Sequence, residues 1–313
     1  MIRPFTLQPL YMERPWGGRA LERLYHRPLP PDLRIGESWE VVDREEAQSV
    51  VADGPLAGRS LHELWRDHRV EIFGESSAAD ARPRFPLLVK ILDAEETLSI
   101  QVHPPAKAAA RLGGEPKTEM WFVAEARGQA ALHVGVQPGV TRDSFREALT
   151  LGTVEQLVPR LPVRAGDSIF IPSGRLHAIG GGLVIFEIQQ NSDTTYRVFD
   201  WNRRGLDGKP RALHIGESLA CIDFNDTAPA LNPETAKRLA DCGHFTVDRH
   251  VLEPGRSLTL PGFCLLAVTS GAMALDGRNH PAGAVVLVPA AGGPAEFLAA
   301  EASGVDLLEI RMP

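Results

Sequence analysis

The sequence predicts a mainly β protein: two β-barrel units with a small helical section. Three observations carry this reading. Short runs rich in β-branched and aromatic residues recur along the chain with turn breakers between them. The 313 residues include 25 prolines and 29 glycines spread throughout, as many short strands joined by turns require. A second set of alternating segments begins at His244 after a stretch of turn character, which places a boundary near residue 240 and divides the chain into 1–240 and 241–313.

The elements follow in order. LHELWRDH (61–68) reads as a helix. From Phe85, FPLLVKILDA, TLSIQVHP, TEMWFVAEA and AALHVGV are strand-length segments and together read as a meander. The period changes in VTRDSFREALTLGTVEQLVPRL (140–161), where Phe145, Leu149, Val154, Leu157 and Val158 fall at helical spacings and Thr141 suits an N-cap; one or two short helices are expected. DSIFIP and GGLVIFEIQQ resume the strands, RALHIGESLACIDF (211–224) reads as a helix, and residues 226–243 as a connector with a short helical piece. FTVDRHVL, SLTLPG, FCLLAVTSG, GAVVLVPA and DLLEIRMP make the second β set.

Composition excludes several classes of partner. Lys and Arg number 33 against 40 Asp and Glu, a net charge of -7 without a basic block, which argues against nucleic acid and against an anionic membrane surface. No apolar run approaches the roughly 18 residues of a membrane span, and no signal-peptide core opens the chain, so a cytoplasmic protein, monomer or homodimer, is expected. Three cysteines without CxxC spacing suggest neither a disulfide framework nor a thiolate zinc site. A metal would have to use His, carboxylate and amide ligands.

Such ligands are present. In LSIQVHPP, Gln101 and His103 lie two apart on an expected strand, so both side chains share one sheet face. Glu119 opens another strand, where antiparallel pairing could return its carboxylate beside His103. Each alone reads more simply as a hydrogen-bonded strand residue or a solvated carboxylate. The string GDSIFIPSGRLHAIG then fits the second motif of the cupin superfamily, G-x5-P-x-G-x2-H, at Gly166, Pro172, Gly174 and His177, with Gly181 replacing the motif's final Asn. Cupins are jelly-roll barrels, and the motif would deliver His177 into a barrel mouth. Two histidines, a Glu and a Gln offer the N/O donors that suit Zn²⁺ and tolerate Mn²⁺, Fe²⁺ or Co²⁺.

The resemblance narrows further. WGG (16–18), IGESWEVVDR (35–44), LLVKIL (87–92), LSIQVHP (98–104), KTEMWF (117–122), PSGRLHAIGGG and EIQQNSDTTYRVFDW (187–201) resemble, in order, the short bacterial form of type I phosphomannose isomerase. The resemblance implies a zinc enzyme, one ion per chain, interconverting mannose 6-phosphate and fructose 6-phosphate. It places the metal ligands on Gln101, His103, Glu119 and His177, an active-site arginine on Arg197, and further matching positions on Lys117, Ser99, Lys90, Glu37 and Glu187. Pro116 stands before Lys117, where longer members carry a histidine or another polar residue, and the large helical insert of those members is missing.

The chemistry requires such groups on its own account. Moving a proton between C1 and C2 of a sugar passes through an enediolate, whose oxygen needs a cation. Arg197 suits that role better than a base's role, because it keeps its proton. Glu37, Asp193, Glu187 and Lys117 are candidates for the base. Ser99, Lys90 and Lys117 could receive a phosphate. His133 and His214, in apolar surroundings, read as structural histidines, His133 within reach of a supporting place beside the metal, and Arg203 and Arg204 as a solvated loop pair. The C-terminal unit shows no ligand pattern, so a metal-free unit is expected there. Two other readings compete: another metal-dependent cupin enzyme of dioxygenase type, for which His-x-His would be more usual than Gln101-x-His103, and a non-catalytic sugar-phosphate sensor.

Overall fold

The computed structural model describes residues 2–300 and 302–313. Twelve strands precede residue 200: β1 (Phe5–Thr6), β2 (Leu10–Gly18), β3 (Ile35–Val41), β4 (Leu87–Ala94), β5 (Ile100–Val102), β6 (Glu119–Ala126), β7 (Ala131–Val134), β8 (Arg160–Pro162), β9 (Ser168–Ile171), β10 (His177–Ile179), β11 (Leu183–Gln190) and β12 (Tyr196–Phe199). They form a six-stranded antiparallel sheet in the order β2-β3-β4-β11-β6-β9 and a five-stranded one in the order β12-β5-β10-β7-β8. Mainly β architecture is therefore as expected, but the meander is not. Strands β4 to β7 alternate between the two sheets instead of pairing in sequence. Buried on both faces, they have nearly continuous apolar runs, and such runs do not reveal which neighbour each strand chooses.

Among the described residues there are six α-helices: α1 (Ala20–Tyr25), α2 (Leu61–Asp67), α3 (Arg69–Phe73), α4 (Ala106–Leu112), α5 (Arg142–Leu151) and α6 (Ile215–Cys221). The α2 start is fixed by a capping box in which the Ser60 hydroxyl accepts the Glu63 N–H and the Glu63 carboxylate accepts the Ser60 N–H. Thr141 caps α5 in the same reciprocal way with Ser144. The helical piece expected within 226–243 is absent; β13 (Arg238–Asp241) takes its place, after Pro229 and Pro233 have interrupted the chain.

The second β set comprises β14 (Thr246–Leu252), β15 (Ser257–Leu260), β16 (Cys264–Leu275), β17 (Arg278–Pro281), β18 (Val285–Val288), β19 (Ala295–Ala299) and β20 (Val305–Arg311). With β13 and the distant β1, they make a nine-stranded sheet, Phe5 pairing with Leu287 and Thr6 with Val286. The division near residue 240 stays a proposal, and these pairings tie both ends of the chain into the C-terminal unit.

The layers follow from alternation. Inner faces of the six- and five-stranded sheets meet through Leu92, Trp121, Val123, Leu132, Ile179 and Ile185. The outer face of the six-stranded sheet, with Val89, Ile91, Met120, Phe122 and Phe186, packs on Leu265, Ala267, Leu308 and Ile310 of the C-terminal unit. Outside the five-stranded sheet, Val102, Ala178 and Val198 pack on Phe145 of α5 and Leu219 of α6. Burial at this scale, at about 25 cal/mol per Å² of apolar surface, is the main source of stability.

Candidate active site

The inner face of the six-stranded sheet changes character along its strands. Apolar at one end, it turns polar toward the other, where cross-strand register sets Lys90 opposite both Trp39 and Glu187, Glu187 opposite Trp121, and Gln189 opposite Glu119. Period-2 alternation thus puts Glu37, Lys90, Glu187 and Glu119 on one wall. Facing them on the five-stranded sheet, His177 pairs with Gln101 and Gln101 with Arg197. Gly174, at φ +95°, makes the turn before His177, and an added Cβ there would meet the Cys221 carbonyl at 3.3 Å.

His103, Glu119 and His177, all buried, bring one ligand atom each to within 4.8 Å of the others. Glu119 comes to His103 from the opposite sheet and not by pairing with its strand. His103 donates Nδ1–H to the Thr194 carbonyl and His177 donates Nδ1–H to the Arg175 carbonyl, each at 2.9 Å. Those bonds select the tautomer that leaves each Nε2 without a proton and able to accept or ligate, 3.5 and 3.6 Å from the two Glu119 oxygens. The Lys117 ammonium pairs with Glu119 Oε2 at 2.8 Å and stands 3.3 Å from His103 Nε2, whereas Oε1, equally buried, has no hydrogen-bond partner. One ammonium leaves a second buried carboxylate oxygen without a donor, and two imidazole acceptors face the same carboxylate, so this N/O donor set fits a divalent ion. The Gln101 amide lies 3.4 Å from His177 Nε2, while its Oε1 accepts from the Ser99 hydroxyl at 3.0 Å; turning the amide over points the oxygen at the ligand group.

A cavity of about 550 Å³ opens above this group, lined by Glu37, Lys90, Ser99, Lys117, Glu187 and Arg197, among others. Gln101 and Lys117 connect this cavity to His103, Glu119 and His177, which do not line it, and Asp193 stands half-exposed at the rim. Burial would raise the Glu37 carboxyl, yet Lys90, Arg14 and Trp39 hold it down to about 2. Burial and Glu119 push Glu187 up. Burial also works against charge on Lys117, but Glu119 and Glu187 raise it well above the usual lysine range. Burial, then neighbouring His103, presses His177 down to about 3, so it stays neutral.

Arg14 was not foreseen. It donates to Glu37 at 3.0 Å and lines the cavity, and no motif in the sequence singles it out. His133 instead shares the Ala178 face, opposite to that of His177, and supports no ligand. Arg203 is likewise no solvated loop residue: its guanidinium bonds the Thr97 carbonyl and is largely covered.

Comparison with known proteins gives consistent matches. The family profile described as phosphomannose isomerase type I, catalytic domain, matches residues 4–120. The chain is 35% identical over 278 residues to the mannose-6-phosphate isomerase ManA of Bacillus subtilis, covering 86% of each. To the mannose-6-phosphate isomerase of Streptococcus mutans it is 39% identical over 231 residues, 74% of this chain and 71% of that one. Its fold superposes on the crystal structure of the mannose 6-phosphate isomerase from Bacillus subtilis with a TM-score of 0.85, at 29% identity and 99% coverage of both.

Proposed function

The chain belongs to the type I phosphomannose isomerases, and from that premise we propose how its residues divide the work. The reaction is the metal-dependent interconversion of mannose 6-phosphate and fructose 6-phosphate, in which a proton leaves C2 and one arrives at C1 through an enediolate. Gln101, His103, Glu119 and His177 would hold a single Zn²⁺; Mn²⁺, Fe²⁺ and Co²⁺ suit the same donors. The bound ion would supply a Lewis-acid charge beside the sugar oxygens.

Arg197 stabilises the enediolate. Among the described residues, no carboxylate lies within 4.0 Å of its guanidinium, so its charge is available to an oxygen that turns negative only during the reaction. Glu187 moves the proton. Its Oε2 accepts the Trp121 indole N–H at 3.0 Å, and its Oε1 faces Lys90 and Lys117 at 3.5 and 3.7 Å, beyond a committed hydrogen bond. Lys117 keeps its own proton and donates to a sugar oxygen. Glu37, held by donors from Arg14 and Trp39, and Asp193 at the rim accept sugar hydroxyls.

Lys90 and the Ser99 hydroxyl receive the phosphate. The three carboxylates around Lys90 stand at 3.5, 3.9 and 4.0 Å, so its N–H donors are not committed to any of them. Among the described residues no helix is long and apolar enough to cross a membrane, and we place the enzyme in the cytoplasm.

The observation that carries this reading is the pair of Nε2 atoms turned on the buried Glu119 carboxylate, next to the Gln101 and Lys117 side of a cavity lined by Arg197. The test is fructose 6-phosphate formation by protein stripped of metal and refilled with Zn²⁺, Mn²⁺ or Co²⁺, beside His177→Ala and Arg197→Ala. Zinc restores turnover most fully, His177→Ala loses ion and turnover together, and Arg197→Ala keeps the ion while losing turnover. A folded, metal-loaded Arg197→Ala chain as fast as the parent would refute the role of Arg197.

A further inference from the structure

Arg197 raises a question of aim. Its Nε is buried without a partner. Asp200, the nearby carboxylate, is taken bidentately by Arg211 at 2.7 and 2.6 Å. The strand gives limited help as well: β12 is the edge of its sheet, and its register against β5 shifts immediately beyond Arg197. A long side chain on such a strand loses its direction unless the backbone is gripped from the open side.

We infer that His214 is the positioning residue for Arg197. The His214 backbone N–H donates to the Arg197 carbonyl at 2.8 Å, and the Arg197 N–H donates to His214 Nδ1 at 3.2 Å. Two antiparallel partners exchange this same pair of bonds within a sheet, and here an imidazole nitrogen stands in for the missing strand's carbonyl. His214 is itself secured. Its carbonyl accepts the Ser218 N–H of α6 at 2.8 Å, and its ring lies against Tyr196 at 5.9 Å between centroids. Because α6 packs through Leu219 on the core behind β12, the grip connects the guanidinium to the rigid part of the unit. Accepting at Nδ1 requires a neutral ring with its proton on Nε2. Burial and the Arg197 charge both lower the pKa of His214 and favour that form.

The inference rests on Arg197 as the group that stabilises the enediolate. Two substitutions separate the hydrogen bond from mere packing. His214→Asn keeps an acceptor near the Nδ1 position and loses the ring, whereas His214→Phe keeps the ring against Tyr196 and loses the acceptor. With zinc content and thermal midpoint measured alongside, His214→Phe lowers kcat about 10- to 100-fold with KM within about threefold of the parent, the scale expected for a slight misplacement of a reacting group. His214→Asn recovers kcat to within about threefold. The reverse ranking, Phe fast and Asn slow, or two folded variants both at the parent's kcat, overturns the inference while leaving Arg197 in its role. A Phe variant that fails to fold beside a fast Asn variant supports it, since the acceptor alone then restores the site. A slow Asn variant overturns it whether or not the Phe variant folds. Failure of the underlying reading is distinct, because only then is Arg197→Ala itself active.

Discussion

His103 and His177 turn the same ring nitrogen, Nε2, toward the two oxygens of one carboxylate, Glu119, and each is held in that pose by a backbone carbonyl 2.9 Å from Nδ1. Fixed neutral ligands around a fixed anion make a site ready before any ion arrives. Stripping the metal should therefore abolish turnover but leave the fold, with a thermal midpoint that climbs again as zinc is titrated in, because an ion that binds only the folded chain adds stability as RT ln(1 + [L]/Kd). Far-ultraviolet circular dichroism and calorimetry of the stripped and refilled protein check both halves. A stripped chain that unfolds at room temperature contradicts the preformed site.

Trp121→Phe removes one hydrogen bond from Glu187 and keeps an aromatic ring in the core. A carboxylate that loses a donor holds its proton more tightly, so the Glu187 pKa rises. If Glu187 takes the proton in its ionised form, the ascending limb of the kcat profile moves to higher pH by about one unit, with the plateau little changed. An unmoved limb in the Phe variant excludes Glu187 as the base.

Asp93 predicts a pH effect on stability. It is fully buried, it accepts the Ala20 N–H at 2.6 Å, and burial pushes its carboxyl up to about 6 from 3.8. A raised folded value means that the folded chain binds the proton more tightly. Its favourable contribution is fully present below about pH 4 and is lost as pH rises to about 6. Asparagine can keep the Ala20 bond and does not titrate, so the stability of Asp93→Asn relative to the parent should grow by about 3 kcal/mol between pH 4 and 7.5, from roughly two units at 1.36 kcal/mol each. Urea titrations at the two pH values measure it, and a constant difference rejects the assignment.

Gly17 of β2 lies directly against the Gly36 backbone of β3. A Cβ on Gly17 would come within 2.4 Å of the Gly36 backbone nitrogen and 2.6 Å of the Ile35 carbonyl carbon, and neither can move aside as a side chain can. Gly17→Ala should cost about 1–3 kcal/mol, the scale of overpacking, and lower the thermal midpoint by several degrees. A midpoint equal to the parent's would show that the two strands part more easily than their contacts imply.

The metal ligands were legible because alternation and one turn motif act over short stretches: Gln101 and His103 two apart, His177 three after Gly174. Cross-strand relations were not. The row of Lys90, Glu187 and Glu119 depends on which strands pair and in what register, and largely apolar runs such as LVIFEI specify neither. His214 lay hidden for the same reason, since its partner is seventeen residues away and its task is done half by the backbone. Arg14 gave only a charge in a loop-like context, and nothing local announced that Glu37 would be its neighbour.

The six-stranded sheet has two clients. One face bears Lys90, Glu119 and Glu187, while its back is covered by Leu265, Leu308 and Ile310 of β16 and β20, and Phe5 of β1 joins the same cover. During synthesis the residues that line the cavity emerge early and the cover that stiffens their support emerges last. A nascent chain stopped short of β20 carries every ligand yet leaves the back of the wall wet, and such exposed apolar surface invites aggregation.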